Sequence, residues 1–205
     1  MKNRLGYILI LAAIAALLQG CGILRSPPKE VRLYTLTYPP AENSKIETRH
    51  GAVLRLEPLR AADPYRTDRI VYAENKYSRN SYVYHKWAAK PADMVGDLIM
   101  RDIRASQIAE AVVELPHPSF THTLHANIDA FYEDDSVDPW QAVLQITVTL
   151  AEASRPDTVG AVLMHKTYRS EQTMKQNNPL GLAEAMSTAL QEVSSELISD
   201  ISGQL

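Results

Sequence analysis

The sequence predicts an α+β domain, with a mostly antiparallel sheet of about seven strands and two amphipathic helices packed on one face. Three observations support this prediction. Several stretches alternate apolar and polar residues with a period of two, short turn sequences typical of hairpins separate some of them, and two segments repeat apolar residues every three to four positions. No internal repeat divides the chain, so we expect a single domain.

The clearest predicted strands are two alternating segments, residues 124–132 and 141–150. Residues 133–140 between them contain four acids and Asp138-Pro139, and we expect this stretch to be a hairpin loop. Weaker alternation, together with β-branched and aromatic residues, predicts the remaining strands. These are residues 30–37, 52–57, 70–72, 82–84, 112–115 and roughly 159–170.

Apolar periodicity predicts the two helices. The first begins at Pro91 and runs to about Ala109, since proline is tolerated in the first helical turn. The second has Asn178 as its N-cap and Pro179 at its first position. Its apolar stripe extends from Leu182 to Ile201 and should close over the sheet.

The first 21 residues have the layout of a secretory signal that ends in a lipid-attachment site. Lys2 and Arg4 give a positive start, and residues 7–18 carry no charge. This apolar run is shorter than the roughly 20 residues that span a bilayer. Residues 18–21 (LQGC) resemble the lipobox of bacterial lipoproteins, in which cleavage leaves an acylated cysteine, here Cys21, as the first residue. The alternative is a free cysteine beside an ordinary cleavage site.

The lipobox resemblance divides the chain into a signal peptide at residues 1–20, a lipidated tether at 21–29 and a domain at 30–205. Multiple acyl chains anchor a protein firmly, since each buried CH₂ contributes about 0.8 kcal/mol. In the lipoproteins that the lipobox resembles, Asp after the acylated cysteine retains the protein in the inner membrane. Gly22 occupies that position. The resemblance therefore implies an outer-membrane protein that faces the periplasm.

Composition and motifs argue against several function classes. Without Lys2 and Arg4, the mature chain has 19 basic residues against 24 acidic ones, a net charge of −5. This charge gives no electrostatic case for nucleic-acid binding. Acylation of Cys21, the sole cysteine, leaves no thiol for catalysis or a disulfide. With no G-x-S-x-G, Walker A or G-x-G-x-x-G motif, we expect neither an enzyme nor a bound cofactor.

Two groups of residues have the composition of metal sites but not the arrangement. His117, His122 and His125 are close in sequence, but positions 122 and 125 of a strand point to opposite faces. The acids of residues 133–138 lack the ligand spacing and central glycine of a calcium-binding loop. We therefore expect no metal site, half-buried or surface histidines, and a solvated acidic hairpin tip.

Aromatic residues concentrate between positions 65 and 87 and form the candidate partner interface. Tyr and Trp are enriched among the residues that contribute most to protein–protein binding. The candidate interface residues are Tyr65, Tyr72, Tyr82, Tyr84 and Trp87. The alternative is that these rings pack the core and its rim.

Several short motifs follow one another along the mature chain: Tyr34-Thr35-Leu36, residues 53–58 (VLRLEP), Pro64-Tyr65, residues 68–72 (DRIVY) and residues 84–87 (YHKW). The Pro91 helix and the terminal amphipathic helix come after them. The order and spacing of these features over residues 21–205 resemble one family, the auxiliary lipoproteins of ABC-type transport systems. These are the Pqi-type lipoproteins that accompany MCE-domain proteins.

The resemblance implies a non-enzymatic docking or scaffold role. The expected partners are membrane lipid, through acylated Cys21, and an MCE-domain protein fixed in the inner membrane, together bridging the periplasm for lipids or hydrophobic compounds. Some members of the family are thought to form rings, so a homo-oligomer is also consistent with the resemblance. The alternative function is that the domain itself binds a lipid or hydrophobic ligand between its helices and sheet.

Overall fold

Nine strands and two helices follow one another in the computed structural model, which describes residues 29–40, 49–114, 119–153 and 161–205. Neither helix in this part of the chain is long and apolar enough to cross a membrane. The residues from Val31 onward form one unit. The strands are β1 (Arg32–Tyr34), β2 (Arg49–Leu56), β3 (Arg60–Ala61), β4 (Arg69–Asn75), β5 (Ser78–Trp87), β6 (Ala109–Val113), β7 (His122–Asp134), β8 (Gln141–Glu152) and β9 (Val162–Thr173); the helices are α1 (Pro91–Ser106) and α2 (Pro179–Gln204).

The sheet is organised around β7. Along one side, β8 pairs with β7 in antiparallel fashion over its whole length, and β9 pairs antiparallel with β8. Along the other side, three strands pair with β7 in succession, and all three are parallel to it. β2 meets residues 122–124, β3 meets residues 127–128 and β4 meets residues 133–134. Beyond these, β6 pairs parallel with β2, β5 pairs antiparallel with β4, and β1 pairs parallel with β5.

The expectation of a mostly antiparallel sheet of about seven strands is corrected by this topology. Five of the eight pairings among the described strands are parallel. The predicted hairpin β7–β8 is an antiparallel pair, and so are the other consecutive pairs β4–β5 and β8–β9. Hairpins are visible in a sequence because the partners are neighbours, whereas the parallel pairs join strands that are distant along the chain. The two-residue strand β3 is too short to show any period.

The core lies between the sheet and the two helices, which confirms the predicted combination of two helices with a sheet. α2 packs along β8 and β9, and α1 packs beside α2 and contacts β3, β6 and β7. Fully buried side chains fill the space between these layers. Among them are Leu124, Ile128, Ile146 and Val148 from the sheet and Ile99, Met186, Leu190 and Leu197 from the helices.

The two helices differ in how well the sequence predicts their ends. α2 begins at Pro179 as predicted, and the side chain of Asn178 accepts a 3.0 Å hydrogen bond from the backbone N–H of Gly181. α1 ends at Ser106, three residues before the predicted end. Gln107 adopts a left-handed conformation (φ 55°) that terminates the helix. Glycine usually occupies this position, and its presence marks the end of a helix in a sequence. Glutamine does not, so the sequence contains no signal for the end of α1.

A buried polar cluster joins the segment after β1 to both helices. Asp102 of α1 is only 3% exposed, and its Oδ2 accepts hydrogen bonds from Tyr38 (2.7 Å) and from Ser194 of α2 (2.8 Å). The Arg101 guanidinium donates to the other oxygen of Asp102 and to the Tyr38 carbonyl. This cluster fixes the N-terminal end of the domain against α1 and α2.

Candidate partner interface

The five aromatic residues predicted as an interface lie in different environments. Trp87 is 1% exposed and packs against the Phe131 ring with centroids 5.2 Å apart, and Tyr65 is 6% exposed. Both are core residues and offer no surface to a partner, as the alternative interpretation expected. Tyr72 and Tyr82 are half-buried, and Tyr84 is 40% exposed. The accessible part of the predicted interface is therefore limited to these last three tyrosines.

Tyr72 and Tyr82 belong to a row of four rings that crosses three strands, which we call the aromatic row. It consists of Tyr34 on β1, His85 and Tyr82 on β5, and Tyr72 on β4. Successive ring centroids are 5.7, 5.7 and 5.0 Å apart, distances typical of favourable aromatic contacts. The Tyr34 hydroxyl and the His85 Nδ1 are also joined by a 2.9 Å hydrogen bond. These contacts hold the rings in fixed orientations.

The sequence did not reveal that Tyr34 and His85 belong to this row. Tyr34 reaches it because β1 pairs parallel with β5, with Arg32 opposite His85 and Tyr34 opposite Trp87. This pairing joins residues about fifty positions apart, and no local pattern encodes it. In the sequence, the two residues belong to separate motifs, Tyr34-Thr35-Leu36 and residues 84–87.

The aromatic row ends at a buried carboxyl group. The Tyr82 hydroxyl donates a 2.7 Å hydrogen bond to Oε1 of Glu133, whose side chain is fully buried. Oε2 of Glu133 has no hydrogen-bond partner in the structure. Burial raises the pKa of Glu133 above its ordinary value of 4.5. The pKa of Tyr82 is raised mainly by burial and, to a lesser extent, by the neighbouring carboxyl group of Glu133. Both shifts are toward the neutral forms of these groups.

The burial of Glu133 corrects the expectation of a solvated acidic tip. β7 continues to Asp134, so Glu133 is flanked by Tyr72 of β4 and Ala142 of β8 instead of lying in the loop. Among the other acids of the predicted tip, Asp138 is exposed and Asp135 is half-buried. Apart from Glu133 and Asp134, the predicted hairpin loop begins and ends near its expected positions.

Exposed apolar side chains lie beside the aromatic row. β1 is the outermost strand on this side of the described sheet. Val31 and Leu33 are 46% and 63% exposed, and Val83 and Tyr84 on the adjacent strand are 71% and 40% exposed. We call these four residues the β1–β5 edge. Exposed apolar residues on an outer strand and its neighbour are candidates for an interaction surface.

The cavities described by the structure are open and partly polar. A groove of about 400 Å³ between α1 and the β2–β3 connection is lined by Leu56, Leu59 and Met100, but also by four carboxylates, Glu57, Asp93, Asp97 and Glu114. A second groove of about 740 Å³ lies over β7 and β8 and is lined by Arg60, His125, Asn127, Thr147 and Thr149 among others. A site for an acyl chain is usually enclosed and mostly apolar. Neither groove has this character.

The histidines considered as metal ligands are separated. His122 is half-buried, its Nδ1 lies 2.8 Å from Thr121 Oγ1, and burial lowers its pKa. His125 is exposed, and strand alternation places it on the opposite face of β7. His117 and Cys21 lie outside the described residues. The described residues contain no group of three or more His, Cys, Asp or Glu side chains placed to hold a metal ion.

Together, the fold and these contacts describe a small α+β domain with an aromatic and apolar surface at one edge of its sheet. The family model described as ABC-type transport auxiliary lipoprotein component matches residues 34–198, and the chain belongs to this family. It is thus a lipoprotein with a membrane-anchored location in the cell envelope and a role associated with transport. A search of curated protein sequences found no significant match.

Solved structures share the fold at low sequence identity. A crystal structure of a Xanthomonas campestris protein matches with a TM-score of 0.75 and 20% identity, covering 85% of this chain and 97% of the other. An uncharacterized protein matches with a TM-score of 0.63 and 12% identity, covering 82% and 99%. A hypothetical protein from Chlamydia trachomatis matches with a TM-score of 0.50 and 10% identity, covering 75% and 96%. At these identities the likeness concerns the fold alone.

Proposed function

We propose that this lipoprotein is a non-catalytic docking component of an ABC/MCE-type envelope transport system for lipids or hydrophobic compounds. Acylated Cys21 holds it in the outer membrane, facing the periplasm, and its partner is an MCE-domain protein. Membership of the auxiliary lipoprotein family supports the transport role. The lipobox-like residues 18–21 and Gly22 support the anchor and its membrane.

The observation that carries the docking proposal is the β1–β5 edge beside the aromatic row. Val83 and Leu33 expose more than half of their side-chain surface, although the chain has a large core available to bury apolar residues. Only residues 85–87 of β5 pair with β1, so most of β5 has no β1 partner alongside it. An apolar sheet edge of this kind offers a partner both side-chain contacts and backbone hydrogen-bonding groups.

The aromatic row adds rigidity to this surface. A partner that contacts mobile side chains must immobilise them, and that ordering costs about 0.5–1.5 kcal/mol per side chain. The Tyr34–His85 hydrogen bond, the Tyr82–Glu133 hydrogen bond and the ring contacts already fix these side chains. Contacts that a partner makes with the aromatic row would therefore cost little further side-chain entropy.

The packing of the interior favours docking over the alternative function, in which the domain itself binds a lipid. An acyl ligand between the helices and the sheet would have to displace side chains that are fully buried, such as Leu144, Ile146 and Leu190. The two grooves are lined by charged and polar groups in addition to apolar ones. No described feature offers an acyl chain an enclosed apolar site.

Affinity capture from membranes tests the proposal. The tagged full-length lipoprotein should enrich an MCE-domain protein, and the double variant Leu33→Asp/Val83→Asp should lose this enrichment because charged groups would replace the apolar contacts. The matched control is Val162→Asp, since Val162 is also an exposed strand residue (44%) but lies on β9. The proposal fails if the wild type enriches no MCE-domain protein, or if the double variant captures it as well as the control does.

Native mass spectrometry of the delipidated mature domain separates the two functions. A bound acyl ligand that survives purification would favour the ligand-binding alternative. A ligand-free domain that still captures its partner supports docking. The same spectra report whether the domain forms a homo-oligomer through the β1–β5 edge, because the double variant would then dissociate the oligomer.

A further inference from the structure

The sheet topology places three connections at one end of the domain. β4 runs parallel to β7, and Ala73 pairs with Asp134 at the last residue of β7, so the β4–β5 turn lies at this end. The β7–β8 connection follows directly. β9 is antiparallel to β8 and its last residue, Thr173, pairs with Gln141, the first residue of β8. The connection from β9 to α2 therefore lies at the same end, which we call the loop end.

Each of the three connections presents an exposed apolar side chain. Tyr77 in the β4–β5 turn is 91% exposed, Val137 in the β7–β8 connection is 40% exposed, and Leu180 in the first turn of α2 is 51% exposed. The other large apolar side chains described as exposed are the four of the β1–β5 edge and Val162, which begins β9 at the opposite end. These three exposed apolar groups thus share the loop end, two on connections between strands and one in the first turn of α2.

The direction of β1 relates the loop end to the membrane anchor. β1 runs parallel to β5, so its N-terminal end points in the same direction as the N-terminal end of β5, where the β4–β5 turn lies. From His85, opposite Arg32, back to Ser78 is roughly 24 Å at about 3.4 Å per residue. The chain from Cys21 to Val31 spans at most roughly 33 Å at about 3.3 Å per residue. The length of this segment thus permits Cys21 to reach the level of the loop end.

The chemistry of the loop end suits the surface of a bilayer. Tyrosine is favoured at the membrane–water interface, where its ring is buried and its hydroxyl stays hydrated. Lys76, whose Nζ lies 5.9 Å from the Tyr77 ring, can reach lipid phosphates beside it. Glu74, Asp134, Asp135 and Asp138 oppose anionic lipid, so the contact must depend on apolar insertion. Such a contact is weak alone but effective when a covalent tether supplies a high local concentration.

We infer that the loop end rests on the lipid bilayer to which the chain is anchored, with Tyr77, Val137 and Leu180 inserted at the interface. The inference rests on the membrane anchoring in the proposed function and adds an orientation to it. The β1–β5 edge then faces sideways, and the end of the sheet where β9 begins points away from the membrane. The occupant of this surface is lipid, and a second copy of the chain is the competing outcome.

The single cysteine makes a direct test possible. The mature chain, beginning at Cys21, is coupled through that thiol to maleimide-bearing lipid in vesicles of phosphatidylethanolamine and phosphatidylglycerol with brominated acyl chains. Tyr77→Trp is the reporter and Val162→Trp is the matched control, each in the same Trp87 and Trp140 background. A side chain buried about 5–10 Å into the interface should lose roughly half or more of its added fluorescence. Equal quenching of reporter and control, or stronger quenching of the control, overturns the inference.

A triple variant distinguishes lipid from a second copy. Tyr77→Ser/Val137→Ser/Leu180→Ser changes only exposed side chains, so the fold should persist. Coupling to vesicles should slow amide exchange in residues 135–140 of the wild type, and the triple variant should lose this protection. Protection that appears in solution as protein concentration rises would show self-association instead and overturn the inference. Because the vesicles contain no partner, failure here leaves the capture experiment unaffected, and a failed capture leaves this result unaffected.

Discussion

The Tyr38 hydroxyl donates a 2.7 Å hydrogen bond to Asp102, and the same carboxylate oxygen accepts a 2.8 Å hydrogen bond from Ser194. One buried acid thereby connects the segment after β1 with both helices. Burial and the nearby carboxylate raise the pKa of Tyr38 above its ordinary value of 10.0, so its hydroxyl remains a donor over the physiological range. The Arg101 side chain compensates the buried negative charge through the other oxygen.

Removal of this acid should destabilise the domain strongly. Asp102→Ala leaves two buried hydroxyl groups without their acceptor and the Arg101 guanidinium without its counter-charge. We expect a loss of about 3–5 kcal/mol in the free energy of unfolding, measured by urea denaturation. Tyr38→Phe removes only one of the hydrogen bonds to this charged carboxylate and should cost about 1.5–3 kcal/mol.

The control on the same helix is Arg104→Ala, which breaks an exposed ion pair with Glu114 and should cost less than about 1 kcal/mol. Equal losses for Asp102→Ala and Arg104→Ala would contradict the assigned role of the cluster.

Glu133 should make the stability of the domain depend on pH. The pKa of Glu133 is raised in the folded state, so folding favours the protonated carboxyl group. The contribution of this group to the free energy of unfolding is therefore fully present below the ordinary pKa of 4.5 and is lost as the pH rises through the folded pKa. Glu133→Gln cannot ionise and retains an oxygen that accepts from Tyr82. The free energy of unfolding of this variant, relative to wild type, should therefore increase with pH and then level off. A difference that stays constant between pH 4 and pH 8 would disprove this coupling.

The two described glycines of α2 should respond to alanine in opposite directions. A Cβ atom at Gly181 would overlap the backbone carbonyl of Gln176, which belongs to the tight connection before the helix. Gly181→Ala should therefore cost about 1–3 kcal/mol, as overpacked sites do. Gly203 has no atom within 4 Å of the corresponding position, so Gly203→Ala should gain up to about 1 kcal/mol. Thermal unfolding of the two variants measures both effects, and a stabilised Gly181→Ala would refute the predicted clash.

Cys21→Ala should release a folded protein from the membrane. The proposed function makes Cys21 the acylated residue, so its loss would leave only the weak contacts of the domain itself to hold the protein at the membrane. Fractionation should move the protein from the membrane to the soluble fraction with an unchanged circular dichroism spectrum. In a deletion strain the variant should fail to complement. Full complementation by the soluble form would mean that anchoring is dispensable for function.

The sequence predicted those features of the fold that are encoded locally. The start of α2 at Asn178-Pro179 and the antiparallel hairpins follow from caps, turns and periodicity within a few residues. The parallel contacts of β7 with β2, β3 and β4 do not, since they bring together residues separated by fifty or more positions. Gln107 ends α1 without the glycine that usually marks such an end.

The same distinction applies to the candidate interface. Exposed rings and core rings have identical sequence signals, so Tyr65 and Trp87 could not be separated from Tyr84 before their neighbours were known. Glu133 looked like a member of an acidic loop because its burial depends on β4, a strand that pairs with it from far along the chain. Conversely, Tyr77 was recognisable as part of the aromatic stretch, but only its place in a tight turn explains its exposure.

The position of β1 also determines how the domain responds to tension. A pull on the proposed N-terminal anchor reaches the described fold at β1, whose three residues are held to β5 in a parallel pair. Tension along β1 loads the hydrogen bonds between the two strands in shear. If β1 separates from β5, the load falls on two hydrogen bonds that follow the strand. The Thr37 backbone N–H donates to the Ser187 hydroxyl, and the Tyr38 hydroxyl donates to Asp102. These two hydrogen bonds transmit the load to α2 and α1.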